Sequence, residues 1–258
     1  MVDWSKFVPP LVLGVLALGL WEGLVRALAI PPYLLPGPIA VVHSLVDNWW
    51  SLMAAWWITM SISLAALAVA VVLGVLLAVL FATSKWVERS FFPYAVILQV
   101  TPIVAIAPLI IVWANDVELS LLICAWIVAF FPILSNTTVG LNSADANLAD
   151  LFKLYRARWW QTLLNLKLPS AMPYFFAGLR ISGGLSLIGA VVAEFVAGTG
   201  GSQSGLAYRI LEAGYQLQIP RMFAALLLIS LSGIVLYLAL SLLSHLCLRR
   251  WHESALES

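Results

Sequence analysis

Six apolar runs, each long enough for a helix to cross a bilayer, constrain this chain more than any other feature. They fall at about 8–30, 57–83, 91–114, 118–140, 173–197 and 222–248. A bilayer core about 30 Å thick takes about 20 mostly apolar residues per helix. Lipid offers the backbone no hydrogen-bond partner, so a spanning segment is a helix or part of a closed barrel. Runs of this length lack the alternation of barrel strands. Of the 258 residues, 63% are hydrophobic and 10% charged, against about 25% charged in soluble domains. A soluble enzyme, a disordered chain and a nucleic-acid binder are excluded. The reading is an all-α membrane protein, a single domain over 1–258 with about six transmembrane helices, seated in membrane lipid. The first run is too long for a signal-peptide core and lacks a cleavage pattern, so it is expected to stay attached.

Proline and glycine inside the runs (Pro93, Pro102, Pro108, Gly183, Gly184, Gly189) predict kinks or close helix contacts. The small residues from Ala177 to Ala193 predict a fifth span that packs closely. Lys6, Lys85, Arg89, Lys153, Arg156, Arg158, Lys167, Arg249 and Arg250 gather on one side of a six-span topology, against Arg26, Arg209 and Arg221 on the other. The positive-inside rule puts the richer side, and both termini, in the cytoplasm. Residues 31–56, with Trp49, Trp50 and Trp56, read as an outer-leaflet segment before the second span. Residues 198–221 read as a Gly/Ser loop followed by a short amphipathic helix.

The longest inner loop, about 142–172, is not a flexible linker. Leu148, Leu151, Phe152 and Tyr155 recur at helical spacing, which predicts a short amphipathic helix. Asp150 lies near its start, where a carboxylate favours the helix dipole. A second helix is expected from Trp159 to Leu166, ended by Leu168-Pro169. An apolar stripe on an inner loop needs cover, from the chain's own helix ends or from a partner's groove. Arg156 and Arg158 are suited to acidic residues at the rim of such a groove.

The stretch from Asp150 to Pro169 (DLFKLYRARWWQTLLNLKLP) resembles the EAA loop of binding-protein-dependent ABC importer permeases of the MetI-like fold. Asp150 falls on the loop's acidic position and Leu168-Pro169 on its Leu-Pro. Residues 34–45, 98–113 and 171–201 resemble further stretches of the nitrate/sulfonate/taurine and pyrimidine-precursor (thiamine or riboflavin type) permeases. One departure stands out: Arg156 replaces the loop's usual glycine, and is expected in an ordinary helical or bridging conformation. The resemblance implies a permease of the cell inner (plasma) membrane whose coupling loop lies between the fourth and fifth helices. Leu148, Asp150, Leu151, Phe152, Tyr155, Arg156 and Arg158 would face an ATPase subunit that holds ATP and Mg. A second permease copy, as a homodimer, would complete the pore, and a periplasmic or lipid-anchored binding protein would deliver the substrate. The chain itself lacks GxxxxGK[ST] and is read as a transport subunit, not an enzyme, with no cofactor of its own.

Polar groups inside the spans are site hypotheses by default. Gln99 and Thr101, beside Pro102, either line the translocation pathway or bond between helices. Glu194 is either a pathway residue or an interfacial acid paired to the outer loop, with Arg209 as one partner. Arg180 either snorkels to the inner interface or meets an anionic substrate. Glu22 and Arg26 are expected to neutralise each other at i, i+4. Asn136, Thr137 and Thr138 are expected to cap the fourth span. No catalytic constellation and no metal-ligand spacing occurs, with His43, His245 and His252 far apart. An ATPase-independent secondary transporter would need internal repeats and more intramembrane ionisable groups; a membrane-embedded enzyme would need facing Ser/His or paired acids. The substrate class stays open between a vitamin or pyrimidine precursor and nitrate, sulfonate or taurine.

Overall fold

A computed structural model of the protein describes residues 8–198 and 204–249; Lys6, Arg250 and His252 lie outside them. Among the described residues the chain forms helices and no strand. The order is α1 (Val8–Ala27), α2 (Pro38–Asp47), α3 (Trp49–Thr83), α4 (Lys85–Val100), α5 (Ile103–Ala114), α6 (Val117–Asn142), α7 (Ala146–Leu154), α8 (Trp159–Thr162), α9 (Leu168–Ala197), α10 (Leu206–Tyr215) and α11 (Ile219–Leu248). Five helical stretches are long and apolar enough to cross a membrane, and the bent pair α4–α5 makes a sixth. The described residues divide into two compact units, 8–58 with 204–230 and 59–198 with 231–249.

In the first unit, α1 buries only Val25, as suits a helix facing lipid. Glu22 does two jobs there. It pairs with Arg26 at 2.6 Å, and it accepts the Ile39 backbone N–H at 3.3 Å in the first turn of α2, whose N-cap Gly37 offers no side chain. A Cβ at Gly37 would collide with that carboxylate. α10 buries Leu206, Ala207, Ile210 and Ala213 on one face, so the expected amphipathic helix is present. Its Glu212 gathers Arg209 at 2.9 Å and Arg221 at 3.6 Å. A core of Val41, Leu52, Ala55, Leu206, Ile210, Ala224, Ala225 and Leu228 closes the unit.

The second unit is organised by α6 against α9. A Cβ added to Gly178 would lie 2.7 Å from the Pro132 carbonyl oxygen, and one on Gly189 would lie 2.8 Å from Ala125 Cα. A Cβ on Gly140 would likewise lie 2.8 Å from Ala171 Cα. The two backbones therefore touch along most of their length, as small residues allow in a membrane where burial adds little drive. Ser182 Oγ donates to the Ala129 carbonyl at 2.6 Å across the same seam. Phe81, Phe92, Phe130, Ile133, Leu134 and Phe176 fill the space alongside.

Several boundaries differ from expectation. α3 begins at Trp49, so Trp49, Trp50 and Trp56 belong to the second span rather than to a separate interfacial piece. From residue 49 to 73 no proline or glycine interrupts it. The third run is broken at Thr101-Pro102, with α4 and α5 bent by 101°. Proline supplies no N–H and forces the residue before it out of the helical region; Thr101 is extended at φ −69°, ψ 123°. The fourth span runs on to Asn142, and Asn136 and Thr138 bond back to the carbonyls of Pro132 and Leu134 instead of capping its end.

The α6–α9 seam gives the first test. Gly178→Ala and Gly189→Ala must push backbone aside, an overpacking cost of about 1–3 kcal/mol. Gly184→Ala meets nothing within 4 Å and should be neutral or mildly stabilising. Thermal unfolding of the purified chain in detergent should separate the first two from the third; equal midpoints for all three would refute the seam.

Candidate functional site

The loop between α6 and α9 builds a surface site. Asp145 starts α7 by accepting the N–H groups of Asn147 at 2.7 Å and Leu148 at 3.1 Å. Asp150, expected near the helix start, instead stands mid-helix and pairs with Lys153 at 2.8 Å, both exposed, an arrangement of small energetic worth. The helix then ends on Arg156 with φ +51°. Arg156 donates its N–H to the Lys153 carbonyl and Ala157 donates to the Phe152 carbonyl, each at 2.9 Å. These two bonds are a Schellman closure, whose left-handed position usually holds glycine. The expectation of an ordinary conformation for Arg156 is therefore corrected: arginine takes over glycine's geometry, because the two closing bonds require it.

After this turn, Arg158 leads into α8, and Gln161 accepts its N–H at 2.7 Å. The second loop helix does not stop at Leu168-Pro169. A π turn, Leu163–Lys167, carries the chain straight into α9, with Pro169 in that helix's first turn. Proline cannot donate to the carbonyl four residues back, and the widened turn ahead of it absorbs the mismatch.

The result is a half-open apolar face. Leu151 is 44% exposed and Tyr155 78%; Leu148 is exposed and Phe152 half-buried. Leu151, Phe152, Tyr155 and Arg156 line one cavity of about 300 Å³ with Gln161 and Asn165. Four of the seven expected loop residues thus meet in one hollow. Leu148 lies one turn back, Asp150 turns to Lys153, and Arg158 heads α8. Leu154 and Trp159 are also exposed and fall outside the predicted stripe. Asp145 was readable from the rule that Asp precedes an apolar helical run.

The three pathway candidates lie on different elements. Gln99 is exposed near the end of α4. Thr101 Oγ1 donates to the Ile97 carbonyl at 2.7 Å, sealing the helix end that Pro102 opens. Glu194 is 4% exposed on α9 and accepts a hydrogen bond from Thr59 Oγ1 at 2.8 Å. Below it, Ser63 and Ser186 hydroxyls meet at 3.0 Å. Thr59 and Ser63 were missed, since pairs more than 120 residues apart leave no local pattern, and Ser186 was read only as a small packing residue. Arg209 is ion-paired with Glu212, and Arg180 is half-buried. Among the described residues no cluster of His, Cys, Asp and Glu is arranged for a metal ion.

The left-handed Arg156 yields a prediction. Such a conformation costs a non-glycine residue about 1–2 kcal/mol. Arg156→Gly should lock the end of α7 and slow amide exchange at Arg156 and Ala157, whereas Arg156→Val should speed it. Exchange that is insensitive to both substitutions would mean the turn is not closed as described.

With this geometry in hand, comparison with known proteins gives a consistent picture. Residues 70–251 match the family described as "binding-protein-dependent transport system inner membrane component". The chain is 34% identical to a formylaminopyrimidine transport permease protein of Halalkalibacterium halodurans, covering 89% of this chain and 90% of that one. It is 31% identical to a riboflavin transport system permease protein of Chloroflexus aurantiacus, over 98% and 92% of the two chains. A putative aliphatic sulfonates permease of Bacillus subtilis is 32% identical over 62% of this chain and 57% of its own. The fold matches a crystal structure of an amino acid ABC transporter with a TM-score of 0.63, at 16% identity, over 81% of this chain and 97% of that one. The family match over residues 70–251 and these relatives give the assignment: the chain belongs to the inner membrane components of binding-protein-dependent transport systems, the permease subunits of ABC importers.

Proposed function

We propose that the loop 142–172 is the coupling element of this importer and docks on a separate ATPase subunit, which binds ATP and Mg. The exposed face formed by Leu148, Leu151, Phe152 and Tyr155 carries this reading. Covering it would yield about 1.5–3 kcal/mol for each large apolar side chain, before the cost of ordering. Arg156 and Arg158 at its rim favour an acidic partner surface and chiefly raise the association rate. Because α8, the π turn and α9 are one continuous helical stretch, a push on the loop would move α9 as a rigid rod, the kind of motion that alternates access. In this reading the loop and both termini face the cytoplasm, two copies of the chain form the pore as a homodimer, and a periplasmic or lipid-anchored binding protein delivers the cargo.

For cargo, we favour a small uncharged heterocycle of the vitamin or pyrimidine-precursor class. The two relatives named for such compounds match over nearly the whole chain, and the sulfonate relative over part of it. Glu194, Gln99 and Thr101 are proposed as pathway residues.

Two experiments test these readings. Leu151→Asp and Phe152→Asp should insert normally yet lose copurifying ATPase and substrate-stimulated ATP hydrolysis, with Glu118→Gln on α6 as the unaffected control. Retention of the ATPase by both variants would remove the loop from the coupling role. For the pathway, cysteines at Gln99 and Thr101 should react with hydrophilic thiol reagents during turnover, and Glu194→Gln should lower transport more than assembly. Unreactive cysteines together with normal transport by Glu194→Gln would make these packing groups.

A further inference from the structure

A second hollow lies between the loop and the end of α3. It encloses about 790 Å³, within the range of sites that hold small molecules. One wall is Leu76, Val79 and Leu80 of α3, and the facing wall includes Ala149, Lys153 and Trp159 of the loop. Lys167 of the π turn completes it. Leu76 and Leu80 are themselves exposed, so the apolar wall is open to the hydrocarbon around a spanning helix. Three residues beyond Leu80, at Thr83, α3 ends. The hollow therefore straddles the boundary between acyl chains and headgroups.

The lysines are placed for an anion at that boundary. Lys167 Nζ gives one hydrogen bond to the Ala82 carbonyl at 3.2 Å, and an ammonium has three N–H groups. Lys153 Nζ is held by Asp150 at 2.8 Å in an exposed pair, weak enough to exchange. Trp159 stands where tryptophan favours the membrane interface. A soluble anion would leave the leucine wall bare, and a zwitterionic lipid would bring no net counter-charge to the Lys167 ammonium, which faces only a carbonyl. We propose that this hollow binds one anionic phospholipid per chain, its phosphate between Lys153 and Lys167 and an acyl chain along Leu76 and Leu80. The lipid would pin α7 to the end of α3 and so hold the loop's apolar face in position. The site rests on the orientation proposed above only for which leaflet supplies the lipid.

The test is native mass spectrometry of the full-length chain released from nanodiscs of phosphatidylcholine and phosphatidylglycerol in equal parts. One phosphatidylglycerol should be retained per chain in preference to phosphatidylcholine. Lys153→Gln and Lys167→Gln should each weaken retention about fivefold, while Lys85→Gln, a lysine at the same membrane end but outside the hollow, should not. Asp150→Asn, which frees Lys153, should strengthen it; a merely structural role for the Asp150–Lys153 pair would not. Equal retention of the two lipids, indifference to both lysine substitutions, or displacement by millimolar inorganic phosphate would each overturn the proposal. ATPase copurification with the same variants is scored separately, so failure of the lipid site and failure of the coupling reading are distinguishable.

Discussion

The contact between the backbones of α6 and α9 is the constraint on which the second unit depends. In lipid, helices gain little from burying apolar side chains against each other, so close packing and interhelical hydrogen bonds must hold them. Gly140, Gly178 and Gly189 bring backbone to within ordinary van der Waals limits of backbone, and a Cβ at any of them would meet atoms under 3.0 Å away. Ser182 then reaches the Ala129 carbonyl, which is possible only because the helices are that near. The loop that carries the exposed site is the connection between these same two helices. Their rigidity fixes both of its ends.

Two pairs of buried polar side chains bridge α3 and α9. Thr59 with Glu194 and Ser63 with Ser186 satisfy each other where an unpaired hydroxyl or carboxyl would be costly. Both pairs join α3 to α9, on which the loop helices α8 and the π turn are threaded without a break. In the proposed coupling role, a displacement of the loop would be carried through α9 into these pairs with α3.

The spans were legible because hydropathy over 20 residues outweighs any local propensity, and the amphipathic α7 because Leu148, Leu151, Phe152 and Tyr155 keep helical register. What escaped the sequence was decided by groups distant in the chain or by backbone bonds. Thr59 finds Glu194 across 135 positions. Asp150 looked like a start signal, yet Asp145, five residues earlier, has the N–H groups in reach. Pro169 looked like a stop, but proline is tolerated in a first turn, and the π turn ahead of it lets the helix continue. Pro102 does break the run, with Thr101 extended before it, whereas Pro93 and Pro108, also read as kink positions, lie inside unbroken helices.

Arg156 draws these threads together. Its residue type argues against a left-handed turn, and the closing bonds from Arg156 to Lys153 and from Ala157 to Phe152 demand one. The two bonds close α7 and shape the connection to α8, which begins at Trp159. Leu151, Phe152 and Tyr155 then stand with Gln161 and Asn165 around one hollow. The strain carried by one arginine, about 1–2 kcal/mol, is small beside the apolar surface that this geometry leaves assembled and exposed. The loop's shape is thus set by backbone hydrogen bonding, and the side chain at its tightest point is free to carry a charge to the rim of the site, where glycine would carry none.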